Sequence, residues 1–271
     1  MKDESAGKRI KCRSCGHVQM VPKPLGEAPA ESSSVKPAEC QQQPPSRGII
    51  GWLKARLWKW NGSATSVRDS EVYLQDCFDP GLVEQPDPCP WSELPGAHEL
   101  ASAGNGKDWA VTVRFASVLI QAYGDHGLGY YWLAEAYAGL KKDKEAREVL
   151  AQGLARASNK YMLCLQMGDL AWARGDLIEA ARWWVKSAVV QVRAGKLREH
   201  SPFLYISYVA DGLGLPEESA ALLERVDRMR AGMPRLNAEP AAKLVKASRR
   251  CKKNLAVRSA VQRLAREFCA Q

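Results

Sequence analysis

Long apolar runs are missing from this 271-residue sequence: nowhere do eighteen uncharged apolar residues follow one another. A helix that crosses a bilayer needs about twenty, so no membrane span is expected. The first residues, Met1-Lys2-Asp3-Glu4-Ser5, are polar and lead into no apolar stretch with a small-residue cleavage site. They predict no secretory leader and, with that, a cytoplasmic protein. Histidine is scarce: His17, His98, His126 and His200 are scattered, and no pattern joins one of them to a plausible nucleophile and acid. No phosphate loop, dinucleotide fingerprint or metalloprotease motif occurs. The pair Glu217-Glu218 falls in a turn, where it offers no acid–base constellation. These absences predict a protein without catalytic activity.

What is present is unevenly placed. The net charge is +9, yet residues 228–271 carry 12 basic and 2 acidic side chains, while residues 1–227 carry 27 and 28. The whole excess therefore belongs to the C-terminal tail, not to the body of the fold. There are eight cysteines. Without a leader, a reducing compartment is expected, with thiols mostly free or metal-bound.

Composition divides the chain. Residues 1–22 hold a compact cysteine motif. Residues 23–47 are rich in Pro, Ser, Glu, Ala and Gln. They bury too little apolar surface to offset the entropy of ordering and read as a flexible linker. Residues 48–61 contain Gly48 to Trp60, basic and apolar with no acid, with Ile49, Trp52, Leu53, Leu57 and Trp60 at helical spacing. An amphipathic helix fits, able to pack on the rest of the fold or to lie on a membrane surface; packing is preferred and membrane contact is not expected. Residues 62–103 are punctuated by Pro and Gly and predict loops with short helical pieces. A helix is expected from Lys107 to Tyr123, with Phe115, Val118, Leu119, Ala122 and Tyr123 on one face.

An internal repeat follows. Tyr130-x2-Leu133-Ala134-x2-Tyr137 matches Cys164-x2-Met167-Gly168-x2-Ala171, thirty-four residues on. In each copy a small residue stands twelve positions after the Ala or Gly (Ala146, Ala180), and a large apolar one four further (Leu150, Trp184). A third copy fits if five residues are inserted near Val192–Lys196: Phe203-x2-Ile206-Ser207-x2-Ala210, then Ser219 and Leu223. Turns are expected at Leu140–Asp143, Arg174–Asp176 and Gly214–Glu218. Two antiparallel helices approach closely only where small side chains meet, and one hairpin cannot bury its apolar face alone, so the copies must stack.

The period and pattern resemble the tetratricopeptide repeat family over about a hundred residues. The frequent closing proline is absent and the third copy is stretched. The expected fold is all-α: a tetratricopeptide-like α-solenoid of about three helical hairpins over residues 104–227, with an irregular N-terminal region and a basic C-terminal helical tail, residues 228–271. Lys107–Tyr123 can be the second helix of a further, eroded copy. The resemblance implies a non-enzymatic adaptor, assembly factor or scaffold that binds a protein or peptide on its first helices. Tyr131, Trp132, Glu135 and Ala138 in one copy and Leu165, Gln166, Asp169 and Trp172 in the next are the candidates, with Trp132 and Trp172 equally suited to the core. The Asn/Lys/Arg pattern that would grip a C-terminal carboxylate is not evident.

Cys12-Arg13-Ser14-Cys15-Gly16-His17 resembles one knuckle of a zinc ribbon, which implies Cys12 and Cys15 as thiolate ligands and zinc as a cofactor. A closed site needs four ligands, and the second Cys-x2-Cys is missing; His17, Cys40, Cys77, Cys89 or a second chain are left to complete it. A knuckle that has lost its metal and a redox pair are the other readings. In the tail, Val257, Val261, Leu264 and Phe268 form one helical stripe. That predicts a cap over the last hairpin. Arg249, Arg250, Lys252 and Lys253 could instead meet an anionic partner, nucleic acid included, which makes a nucleic-acid-associated factor the alternative function.

Overall fold

The computed structural model describes residues 9–11, 18–20, 77–78, 82, 90–195, 197–229 and 238–269. The chain divides into two units, residues 1–51 and 52–271. In the first, β1 (Arg9–Lys11) and β2 (Val18–Met20) pair antiparallel, with Ile10 opposite Gln19. The expected linker at 23–47 and the Trp-rich helix at 48–61 lie outside the described residues.

The second unit is all-α, built by packing helix on helix. Its helices are α1 (Ala97–Gly106), α2 (Trp109–Ala122), α3 (Gly127–Gly139), α4 (Asp143–Arg156), α5 (Tyr161–Ala173), α6 (Leu177–Arg193), α7 (Ser201–Gly212), α8 (Pro216–Met229), α9 (Ala238–Ser248) and α10 (Leu255–Phe268). Helices α1 to α8 pack as four consecutive pairs, α1 on α2 through α7 on α8. Each pair also meets the next: α2 packs on α3, α4 on α5 and α6 on α7. In α5 ten of thirteen residues are buried, as a helix sandwiched between neighbours requires. In α6 eleven of seventeen residues are buried, Trp184, Val185 and Ala188 among them, because it packs on α5, α7 and α10.

The expected close approaches are present. A Cβ on Gly168 would lie 2.5 Å from the indole of Trp184 and 3.2 Å from the carbonyl of Ala180. The Ser219 hydroxyl donates to the Ser207 carbonyl at 2.9 Å. Ala134 and Ala146 are both fully buried.

Four turns share one construction. Lys107, Lys141, Gly175 and Gly214 all have φ between 61° and 84°. In each turn the next N–H reaches back five residues: Asp108 to Ala103, Lys142 to Tyr137, Asp176 to Ala171 and Leu215 to Ala210, at 2.8–3.0 Å. This is a Schellman closure of the first helix of each pair. The left-handed residue costs glycine little and a lysine about 1 kcal/mol. Lys141→Gly is therefore expected to raise stability by about 0.5–1 kcal/mol, read as an upward shift of the thermal midpoint.

Two expectations are corrected here. Helix α1 straddles the 103/104 boundary, because Gly104, which reads as a breaker, is the site where the Trp132 ring lies against the helix backbone. On α2 the inward stripe is Thr112, Ala116 and Leu119, while Val118 is 43% exposed. Gly129 of α3 approaches the backbone at Ala116 and Ile120 so closely that only small groups fit between, which turns the larger side chains aside.

The five extra residues before the fourth pair have a definite shape. Helix α6 runs on to Arg193, Gly195 turns left-handed at φ 65°, and residues 197–200 continue without helix or strand. Buried Gln191 holds that segment: its Oε1 accepts from the Arg198 and Glu199 N–H groups at 2.9 and 2.7 Å, and its Nε2 donates to the Glu199 carbonyl at 3.0 Å.

The tail folds back onto the body. Helix α9 packs on α7, and α10 on α6 and α8. Val257, Val261 and Leu264 are buried, and Phe268 is partly buried. A Cβ on Gly212 would collide with the Ser248 hydroxyl, so the α7–α9 crossing depends on that glycine. The Arg258 guanidinium donates to the Leu213 carbonyl at 2.9 Å, and Arg228 to the Cys269 carbonyl at 3.2 Å. Upstream, Cys77 and Phe78 join the same core; Arg193 donates to the Phe78 carbonyl at 2.7 Å, and the Arg263 guanidinium lies over the Phe78 ring.

Candidate functional site

Side chains from the first helices of successive pairs converge on one polar cluster. Glu135 stands on α3 and Asp169 on α5, thirty-four residues apart and thus at equivalent positions. Gln166, one turn before Asp169, donates its amide N–H to Glu135 Oε2 at 3.0 Å. The Trp184 indole N–H reaches from α6 to Asp169 Oδ1 at 3.1 Å. The Trp184 ring then packs on Tyr205 of α7, with centroids 4.9 Å apart, and on Trp172 at 6.3 Å.

The field in this cluster is negative. Burial pushes the Tyr131 hydroxyl well above the usual phenol range, and the charges of Glu135, Asp169 and Glu199 push it further. Tyr205 is raised in the same way, by burial first and then by Asp169 and Glu199, against a smaller opposing effect of its hydrogen bond with Ser201. Both phenols stay protonated, able to donate. Glu199 enters the cluster because Gln191 fixes its backbone and because its own Oε1 accepts from the Ser201 N–H and hydroxyl, at 2.9 and 2.7 Å.

Of the residues expected to touch a partner, Tyr131, Glu135, Gln166 and Asp169 come together. Trp132 is half-buried against α1, and Trp172 is half-buried beside Trp184. Both rings give one part to packing and keep another at the surface. Leu165, 6% exposed, belongs to the apolar core, which leaves it no surface for contact. Sequence reasoning missed Glu199, Tyr205 and Gln191. Tyr205 carried a signal, since it stands in the third copy where Trp132 and Gln166 stand in the first two. Glu199 lies after the inserted residues, in the connection before α7, where the repeat pattern specifies no residue.

The second candidate surface is the turn between α9 and α10. Arg249, Arg250, Lys252 and Lys253 are all exposed, and none makes an ion pair with a described residue. Between them Cys251 is buried, and burial raises its thiol, with Asp176 adding to the shift and Arg250 opposing it.

Cys12 and Cys15 lie outside the described residues, in the six-residue connection between β1 and β2. That connection supplies two thiolates and His17, one donor short of a closed tetrahedral zinc site. Among the described residues no group of three or more His, Cys, Asp or Glu side chains could hold a metal. The described cysteines Cys77, Cys164, Cys251 and Cys269 are buried, and burial lifts Cys269 to about 11, which makes it a poor nucleophile at neutral pH. No described helix is long and apolar enough to cross a membrane. No protein-family model, curated protein or solved structure matches the chain.

Proposed function

We propose that this is a non-catalytic, tetratricopeptide-like adaptor or scaffold whose first-helix face receives a protein or peptide. One observation carries the reading: the left-handed turn residues and their five-residue back-bonds recur at 107, 141, 175 and 214, a spacing of thirty-four, thirty-four and thirty-nine. A generic bundle has no reason to repeat one turn in one register, whereas a stack of equivalent hairpins does. The recurrence also brings α1 and α2 in as a fourth, eroded pair. Half-buried aromatic rings and a polar cluster on the first helices suit a contact made by a few anchor residues.

The test is affinity purification with mass spectrometry of the full chain beside Tyr131→Ala/Trp172→Ala and Gln152→Ala/Arg147→Ala. The first pair is on first helices and the second on the exposed side of α4. A partner enriched by the parent and by the α4 variant, and at least tenfold depleted from the first-helix variant, supports the reading. Equal depletion from both variants, or from neither, sinks it.

A second reading has its own observation, the four exposed cations of the α9–α10 turn, none of them ion-paired among the described residues. Four phosphate contacts on duplex DNA would give a slope of log K against log salt near −3.6. Arg249→Gln/Arg250→Gln/Lys252→Gln/Lys253→Gln is expected to flatten that slope by about the same amount. No binding to a mixed-sequence duplex or single strand at low salt removes this reading. Zinc held by Cys12 and Cys15 belongs with the same proposals; metal analysis of the parent and of Cys12→Ala/Cys15→Ala checks it.

A further inference from the structure

We propose that the chain's own segment Trp52–Trp60 covers the open first end of the hairpin stack, with its apolar face seated on one flank of α2. A stack of hairpins needs a cover at each end, because an end pair has a neighbour on one side only. At the far end α9 lies on α7, and α10 on α6 and α8. The first end differs. Among the described elements α2 packs on α1 and α3, and its buried residues are Thr112, Ala116 and Leu119. Along one flank run Val111, Phe115, Val118 and Ala122, at the four-three-four spacing of a helical stripe. Val118 is 43% exposed, and the other three are half-buried. Arg114 is the one charged residue of this helix.

Composition, charge and reach name the occupant. Trp52, Leu53, Leu57 and Trp60 fall on one face of the predicted helix. That face is about 12 Å long and the α2 stripe about 16 Å. The division between the two units falls after Gly51, which leaves Trp52–Trp60 with the helices. Residues 52–68 carry four basic and no acidic side chains, whereas residues 69–126, which include α1 and α2, carry 10 acidic and 2 basic. A second copy seated through the same acidic flank would set like charge against like, and so would an anionic lipid surface. Trp52–Trp60 brings the opposite charge together with the apolar face. Cys77, further along, is fixed against α6, where its thiol donates to the Arg182 carbonyl at 3.8 Å. From α6 back to α2 is four packing steps, about 40 Å at most. The sixteen residues between Trp60 and Cys77 extend to roughly 55 Å, so the segment reaches its seat.

Photocrosslinking of the full chain tests this. p-Benzoylphenylalanine replaces Val118 in one preparation and Glu148, exposed on α4, in another; both are irradiated and mapped by peptide mass spectrometry. An intrachain product joining position 118 to residues 52–60 is expected, at least tenfold above any such product from position 148. In Trp52→Ser/Trp60→Ser, amide exchange over Val111–Ala122 is expected to rise at least fivefold, with exchange in α5 unchanged. A product between two chains, a lipid product replacing the intrachain one when phosphatidylserine vesicles are added, or equal products from the two positions overturns the inference. So does the absence of any product within residues 52–60, or unchanged exchange in α2.

Discussion

Trp184→Ala is expected to lower the unfolding free energy by about 3–5 kcal/mol. The ring is 1% exposed and fills space that Gly168 leaves open and Tyr205 bounds. Its loss opens a cavity between the third and fourth pairs and also removes the donor to Asp169, a nearly buried carboxylate. Trp184→Phe separates the two effects. It keeps most of the packing and loses only the N–H, so about 1–3 kcal/mol is expected. Urea denaturation followed by circular dichroism reads both. If the phenylalanine variant were as stable as the parent, the indole–carboxylate bond would contribute nothing, and the polar cluster would not be held from below as described.

Gln191→Leu is expected to cost about 3 kcal/mol. The substitution preserves volume but strips partners from two N–H groups and one carbonyl of residues 198–199. Those groups are only partly buried, so water recovers some of the loss. A local signature accompanies the global one: amide exchange at Leu197–His200 accelerates more than exchange in α6. Because the same clamp places Glu199 near Tyr131 and Tyr205, the variant also weakens the negative field of the cluster. Unchanged exchange at Arg198 and Glu199 would show that the segment holds itself.

Much of the architecture was legible because packing leaves a period. Small residues at Gly168/Ala180 and Ser207/Ser219 mark true contacts, and the thirty-four-residue register predicts where each turn falls. The first pair was illegible for a physical reason. It has Leu100 where later copies have Ala134 or Gly168, and Thr112 and Ala116 where they have Ala146 and Leu150. Large and small have traded places across the interface, so volume is conserved while the pattern is lost. The turn at Lys107 was hidden likewise, because it uses lysine in a conformation that normally signals glycine; the turn at Lys141 does the same and was placed by the repeat register alone. The polar cluster was half legible. Glu135 and Asp169 share a repeat position, but the bond from Gln166 and the arrival of Glu199 depend on side-chain reach that no period encodes.

The brace behind the basic turn ties charge to cohesion. Arg258 grips the Leu213 carbonyl, Ser248 donates to Tyr208 at 3.4 Å, and α10 lies on α6 and α8. A polyanion seated on Arg249, Arg250, Lys252 and Lys253 therefore cannot stay attached to a tail that has peeled away without giving up its fixed arrangement of charges. Occupancy and folding become thermodynamically linked. At ten times its dissociation constant such a ligand would add about 1.4 kcal/mol to the folded state, and the thermal midpoint of the hairpins, not only of the tail, would rise with it.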